Sequence, residues 1–207
     1  EMVPGPQTDR DLFRAFAEHA GNLLGKDVVF CKDTPGFISN RIGYFAIQHA
    51  VWLALEEGLT VEETDAITGP AMGRPKSATF RLCDLIGIDL IAQIGRDLLE
   101  RLPADERNRF FDQPALVRLM IEKKWLGEKS GQGYYKRLRT EKGTEIQALD
   151  LRTLEYRTTR PPEIAVLRGG IRVLCAADDS AGRFAWKHLA PCSATAPTNS
   201  PRSPTML

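Results

Sequence analysis

Cysteine is scarce in this sequence, and neither sign of charge is in excess. The 207 residues include four cysteines, and their formal net charge is +1 at pH 7. Cys31, Cys83, Cys175 and Cys192 lie at spacings that match no zinc-binding pattern, so we expect reduced thiols and no metal site. Reduced thiols are typical of a cytosolic protein. The balanced charge gives no field that would favour nucleic acid or a membrane surface as a partner.

Long apolar runs and targeting signals are also lacking. No stretch of 18 apolar residues occurs, which excludes a transmembrane helix of ordinary length. Glu1–Pro4 lacks the basic and apolar regions of a secretory signal, and the first residue is glutamate rather than methionine. We therefore expect a cytoplasmic fragment of a longer protein.

A turn between a short strand and a long helix is the strongest local signal. Val28–Cys31 is a β-prone run, and Thr34–Gly36 breaks it because proline fixes φ and glycine tolerates turn conformations. Apolar residues then recur at helical spacing, which places Asn40 in the first turn of a helix. An amide beside the unpaired N–H groups of a helix start can stabilise an oxygen that gains negative charge. Alternatively, Asn40 caps the helix or faces solvent.

A helix with one apolar face is expected before this turn. Thr8 or Asp9 is suited to cap it. The residues of the apolar face are Leu12, Phe13, Phe16, Ala20, Leu23 and Leu24.

Three blocks of the sequence together resemble the 3-hydroxyacyl-CoA dehydrogenase family. They are Gly25–Arg41, which contains the letters KDTPGFISNR, Gly69–Asp84 and Trp125–Lys136. The blocks agree with that family in order and spacing, and three ordered motifs are far more specific than one. The resemblance extends over roughly residues 1–190.

The resemblance implies a mainly α fold. Residues 1–34 would be the end of a dinucleotide-binding (Rossmann) domain, and residues 35–137 a helical domain similar to the C-terminal domain of 6-phosphogluconate dehydrogenase. We expect a linker over residues 138–162, within which residues 142–149 alternatively form a hairpin. A second helical repeat would begin over residues 163–190, in a helix that opens at Pro162, and residues 191–207 are expected to be disordered because they cannot bury enough apolar surface.

The same resemblance implies three site residues. Glu1 aligns with the acidic residue that pairs with the family's catalytic histidine, Asn40 with its active-site asparagine, and Lys129 with a lysine that reaches the cofactor. The catalytic histidine itself would lie shortly before Glu1, because none of the three histidines of this sequence matches its position. The alternatives are a frayed terminus for Glu1 and a solvated turn lysine for Lys129.

The implied cofactor is NAD, although most of its binding domain would be missing. No G-x-G-x-x-G occurs in the sequence, and Gly127–Gly133 does not satisfy the P-loop pattern G-x-x-x-x-G-K-[ST]. In the loop after Gly73, Arg74 and Lys76 are candidates for contacting the phosphates or pantetheine of a CoA ester, with a solvated loop as the alternative.

The expected function is part of an NAD-dependent dehydrogenase that oxidises (3S)-3-hydroxyacyl-CoA to 3-oxoacyl-CoA in fatty-acid β-oxidation. The fragment alone is expected to be inactive. The expected partners are an acyl-CoA substrate, a second copy in a homodimer, or a fused or separate hydratase module. The alternative from a different class is a non-catalytic helical module for dimerisation or acyl-CoA binding.

Overall fold

The structure is a computed structural model that describes residues 1–141, 143–164, 167 and 169–194, with side chains described up to residue 190. The chain forms two compact units, which divide between Gly43 and Tyr44. Mainly α structure with one small sheet is observed, as the resemblance implied.

The first unit contains a helix between two extended segments that pair in parallel. Helix α1 (Arg10–Leu24) is capped by Asp9, whose carboxylate accepts the N–H groups of Asp11 and Leu12. The only strand pairing here among the described residues is a parallel bridge between Met2 and Phe30. The predicted strand at Val28–Cys31 is thus reduced to a single bridge. A helix that connects parallel segments is the βαβ arrangement of dinucleotide-binding sheets.

The apolar face of α1 is exposed. Leu12 is 70% exposed, Phe16 59%, Leu23 74% and Leu24 66%, and the one fully buried residue of the helix is Ala17. The helix is therefore amphipathic, as predicted, but its apolar side chains face outward rather than into a core.

The second unit is built mainly from helices around one core. Helix α2 (Ser39–Glu57) begins in the first unit and ends in the second. It is followed by α3 (Val61–Thr68), α4 (Phe80–Ile86), α5 (Ile88–Arg101) and α6 (Ala115–Glu122), with 3-10 turns at Pro70–Met72, Asn108–Phe110 and Glu128–Ser130. The largest fully buried side chains of their core include Phe80, Phe111, Met120 and Tyr134.

Helix α3 starts with a complete capping box. Thr60 Oγ1 accepts the N–H of Glu63 at 3.2 Å, and the Glu63 carboxylate accepts the N–H of Thr60 at 2.8 Å. The sequence pattern predicts this start, since both partners lie within one helical turn.

A three-stranded antiparallel sheet occupies most of the region expected to be a linker. Its strands are β1 (Tyr135–Thr140), β2 (Gly143–Leu149) and β3 (Tyr156–Thr158), in the order β1-β2-β3. Of the two alternatives for residues 142–149, the hairpin is observed, with Lys142 itself outside the described residues. Leu149 is fully buried, so this segment contributes to the core.

Two helices close the described chain. Helix α7 (Gly170–Ala176) lies within the helix predicted to open at Pro162; residues 161–164 are not helical, and residues 165, 166 and 168 of that prediction lie outside the described part. Helix α8 runs from Ser180 to Ala194 and thus extends into the region expected to be disordered; residues 195–207 lie outside the described part. Its side chains reach α2, where Lys187 and Arg183 both form ion pairs with Glu57.

Within the described residues, no helix combines the length and the apolar character that crossing a membrane requires.

Candidate functional site

The Glu1 carboxylate binds the N-terminal end of α2, next to Asn40. One carboxylate oxygen accepts the N–H of Ile38 at 3.1 Å and that of Ser39 at 2.6 Å, and the other accepts the Ser39 hydroxyl at 2.9 Å. These hydrogen bonds hold the pKa of the Glu1 carboxyl below its usual value, and the two bonds from Ser39 contribute most to the lowering. A carboxylate at this position satisfies donors that every helix leaves unpaired. The structure therefore brings Glu1 to the residue that precedes Asn40.

The proline–glycine bend sets the direction in which α2 begins. Gly36 has φ +75° and Phe37 has φ +48°, both in the left-handed region, which a phenylalanine rarely adopts. The Gly36 carbonyl accepts the N–H of Arg41 at 3.1 Å. Asn40 is the second residue of the helix and is exposed, so its amide is accessible to a ligand.

Lys129 forms an ion pair in the second unit. It lies on the 3-10 turn at Glu128–Ser130, and its Nζ is 2.5 Å from Asp89 Oδ1, with the lysine side chain 49% exposed. The hydrogen bond from Lys129 lowers the pKa of Asp89. Sequence reasoning did not identify Asp89 as the partner, because 40 residues separate the two side chains.

A buried carboxylate connects the second and third sequence blocks. Asp84 is 1% exposed, and its two oxygens accept the backbone N–H groups of Tyr134 and Tyr135, each at 2.8 Å. Burial raises the pKa of Asp84 to about 7, against the lowering effect of these bonds. A Cβ atom on Gly127 or Gly133 would overlap Asp84, so the glycines of the third block allow its backbone to approach this residue.

Asp65 also connects the second and third sequence blocks through hydrogen bonds. Its carboxylate accepts the N–H groups of Thr79, Phe80 and Arg81 at the start of α4, and the Tyr135 hydroxyl at 2.9 Å. A side chain from α3 therefore caps α4, whereas the side chain of Thr79, the residue before the helix, makes no capping hydrogen bond. Burial raises the pKa of Asp65 to about 6.

Arg74 and Lys76 have different surroundings. Arg74 Nη1 lies 3.0 Å from His188 Nε2, which ties the loop to α8, whereas Lys76 is exposed. Of these two candidates for contacting CoA, Lys76 is the more accessible.

Two of the three histidines form a buried stack. The rings of His49 and His188 lie 5.7 Å apart with an angle of 27° between their planes. Burial lowers the pKa of His49 to about 4 and that of His188 to about 3, with nearby arginines adding to the effect. His19 is exposed on α1. His49 thus packs in the core, and sequence reasoning missed its pairing with His188 because the two are far apart in the chain.

Comparison with known proteins identifies the family. Residues 36–137 match the model of the 3-hydroxyacyl-CoA dehydrogenase C-terminal domain. This chain belongs to the 3-hydroxyacyl-CoA dehydrogenase family. A probable 3-hydroxyacyl-CoA dehydrogenase of Bacillus subtilis is 40% identical over 90% of this chain and 24% of its own length. A putative fatty acid oxidation complex trifunctional enzyme of Rickettsia prowazekii is 33% identical over 69% of this chain and 20% of its own length.

A solved structure shares this fold. The (S)-3-hydroxybutyryl-CoA dehydrogenase PaaH1 of Ralstonia eutropha is 34% identical, with a TM-score of 0.51 over 63% of this chain and 44% of that one. The chain therefore spans less than half the length of these 3-hydroxyacyl-CoA dehydrogenase relatives.

The described residues do not include the glycine-rich turn that holds the pyrophosphate of NAD. The family is NAD-dependent in general, but the sequence has no G-x-G-x-x-G turn to hold a pyrophosphate. In the described structure, the helix start nearest to the predicted catalytic residues is occupied by Glu1, whose negative charge would repel a phosphate.

Proposed function

We propose that this chain is part of an NAD-dependent (3S)-3-hydroxyacyl-CoA dehydrogenase of fatty-acid β-oxidation, which forms 3-oxoacyl-CoA. The observation that carries the proposal is the position of Glu1 at the start of α2, one residue from the exposed Asn40. Family membership supports it, because the relatives named above include a 3-hydroxyacyl-CoA dehydrogenase and a fatty acid oxidation enzyme.

Asn40 is proposed to bind the substrate oxygen on C3. This oxygen changes from an alcohol to a carbonyl during oxidation, and the reverse reaction gives it negative charge, so an amide N–H aimed at it lowers the barrier in both directions. The bend at Gly36 and Phe37 fixes the first turn of α2 and so presents this amide.

Glu1 is proposed to orient a catalytic histidine supplied by the upstream chain. Its bonds to Ser39 keep the carboxylate ionised, and an ionised carboxylate that accepts one imidazole N–H leaves the other nitrogen free to take the hydroxyl proton.

Lys129 and Lys76 are proposed to contact the cofactor and the CoA ester respectively. Lys129 is half exposed, and its ion pair with Asp89 is also partly exposed, so exchanging it for a cofactor contact costs little. NAD, when bound in the intact protein, accepts the hydride; the chain's own contribution is to position groups around it.

An upstream domain is proposed to cover α1. The parallel bridge between Met2 and Phe30 and the exposed Leu12, Phe16, Leu23 and Leu24 are what a helix at the edge of a larger sheet would present. We place the intact enzyme in the cytoplasm, where a fused or separate hydratase module is a further proposed partner.

The test is a comparison of two lengths of the protein. The 207-residue chain alone should show no oxidation of NADH with acetoacetyl-CoA, while the protein extended upstream should show it. Turnover by the short chain would contradict the proposed dependence on an upstream histidine.

A helical module for dimerisation or acyl-CoA binding is the second candidate. Leu85 is 51% exposed, Leu90 45% and Ile94 39%, on the adjacent helices α4 and α5, and such side chains favour an interface with a second copy. Sedimentation of the chain should then show a dimer that Leu90→Glu dissociates, with Glu100→Lys, an exposed residue of the same helix, as the control. A monomer in both proteins would contradict this candidate.

A further inference from the structure

A groove in the second unit lies between the start of α4, the turn before β1 and one face of the sheet. It encloses about 370 Å³, within the roughly 300–1,000 Å³ typical of small-molecule sites. Its lining residues are Arg81, Glu128, Gly131, Tyr135, Arg137 and Ile146. None of them has a role in the function proposed above.

Two guanidinium groups converge on one carboxylate in this groove. Arg81 Nη2 and Arg137 Nη2 both bind Glu128 Oε1, the latter at 3.3 Å. Two positive charges therefore meet one negative charge, and a guanidinium that shares an acceptor keeps other N–H donors for a second anion. Arg137 is 61% exposed and Glu128 40%, so both ends of this pair are open to exchange.

The remaining walls of the groove suit the body of a small organic molecule. Ile146 pairs with Arg137 across β1 and β2, which puts their side chains on the same face, and it is 46% exposed. The Tyr135 hydroxyl is bound to Asp65, so its ring is held in place. A Cβ on Gly131 would meet no atom within 4 Å, which shows that the groove is open on that side.

We propose that this groove is a binding site for a small organic anion. Its phosphate or carboxylate group binds Arg81 and Arg137, and its apolar body lies on Ile146 and the ring of Tyr135. Glu128 occupies the anion position in the absence of ligand and competes with it.

Isothermal titration of the chain with adenosine 5′-monophosphate, hexanoate and inorganic phosphate tests this proposal. At least one of the two organic anions should bind saturably and more tightly than inorganic phosphate, and comparing them distinguishes a phosphate head from a carboxylate head. Arg137→Gln should weaken binding about tenfold, since it removes one charged donor. Arg139→Gln is the matched control, because Arg139 is exposed on the same strand and the same face, and it should change affinity little.

Glu128→Gln separates a binding site from a surface ion-pair network. Removing the competing carboxylate should tighten binding several-fold, whereas a purely structural network would only lose thermal stability. Circular dichroism melting of each variant checks that it is folded. The proposal is overturned if neither organic anion saturates, if Arg137→Gln and Arg139→Gln have equal effects, or if Glu128→Gln leaves a measured affinity unchanged.

Discussion

Asp84 Oδ1 accepts the backbone N–H of Tyr134 across 50 residues of sequence. The bond joins α4 to the turn that leads into β1, and with Gly127 and Gly133 packed against Asp84 it accounts for the glycine-rich composition of the third sequence block. Asp84, Gly127 and Gly133 thus belong to the sequence blocks that indicate the family, and they also join distant segments of the domain.

Replacing Asp84 should destabilise the domain in a graded way. Asp84→Ala leaves the N–H groups of Tyr134 and Tyr135 buried without an acceptor, so the free energy of unfolding should fall by about 2–4 kcal/mol. Asp84→Asn keeps one acceptor oxygen and should cost less. Urea denaturation measures both, and Asp97→Ala, in an exposed ion pair with Arg101, is the control. Equal losses in Asp84→Ala and Asp97→Ala would show that these bonds contribute nothing specific.

The buried histidines should each contribute a loss of stability in mild acid. Their folded-state pKa values of about 3 and 4 lie below the roughly 6.5 of an unfolded histidine. Between these values the unfolded chain binds more protons, so the free energy of unfolding falls as the pH falls. Asp65 and Asp84, whose pKa values are raised, change stability in the opposite direction over this range.

His188→Gln isolates one of these contributions. On going from about pH 7 to about pH 4.5, the free energy of unfolding of this variant should change by about 2 kcal/mol in the stabilising direction relative to the parent, because the destabilising contribution of His188 is removed while the opposite contributions of Asp65 and Asp84 remain. His19→Gln, on the exposed surface of α1, should show the same pH dependence as the parent. Urea denaturation at the two pH values gives the comparison. A pH dependence that is the same in His188→Gln and the parent would contradict the neutral, buried state of this ring.

Asn40→Ala should affect the reaction rather than the fold. In the upstream-extended protein we expect kcat to fall by about 100-fold or more, because one hydrogen-bond donor to the reacting oxygen is lost. The melting temperature should move little, since Asn40 is exposed. Steady-state kinetics with acetoacetyl-CoA and a thermal melt provide both readouts, with Asn22→Ala, an exposed asparagine of α1, as the control. An unchanged kcat would show that Asn40 takes no part in the reaction and is only a residue at the start of α2.

Charges on the apolar face of α1 should destabilise the extended protein but not the 207-residue chain. Leu12→Glu and Phe16→Glu place a charge where the side chain is already exposed, so the 207-residue chain should keep its stability and become more soluble. In the extended protein the same changes should be strongly destabilising, because the proposed upstream domain buries that face. Thermal melts of the two lengths decide this. Equal effects in both would mean that nothing covers α1.

Several features were predictable from short-range patterns. The Asp9 cap, the Thr60–Glu63 capping box and the stop of α2 before Gly58 each depend on residues within a few positions of one another. The order and spacing of the three motif blocks indicated the family, and the family implied the mainly α fold. The hairpin that β1 and β2 form was only one of two alternatives for residues 142–149, because polar alternation is also found in linkers.

By itself, the sequence determined where α1, α2 and α3 begin, which family the chain belongs to and which residues were candidates for the reaction, because caps, periodicity and motif order are local properties. Only the tertiary structure decided that Glu1 binds the start of α2, that Asp65 and Asp84 hold distant segments, and that Lys129 pairs with Asp89. It also decided that His49 and His188 are buried together. The physical reason is that burial and hydrogen bonding between distant segments depend on how the chain packs, which no local pattern records.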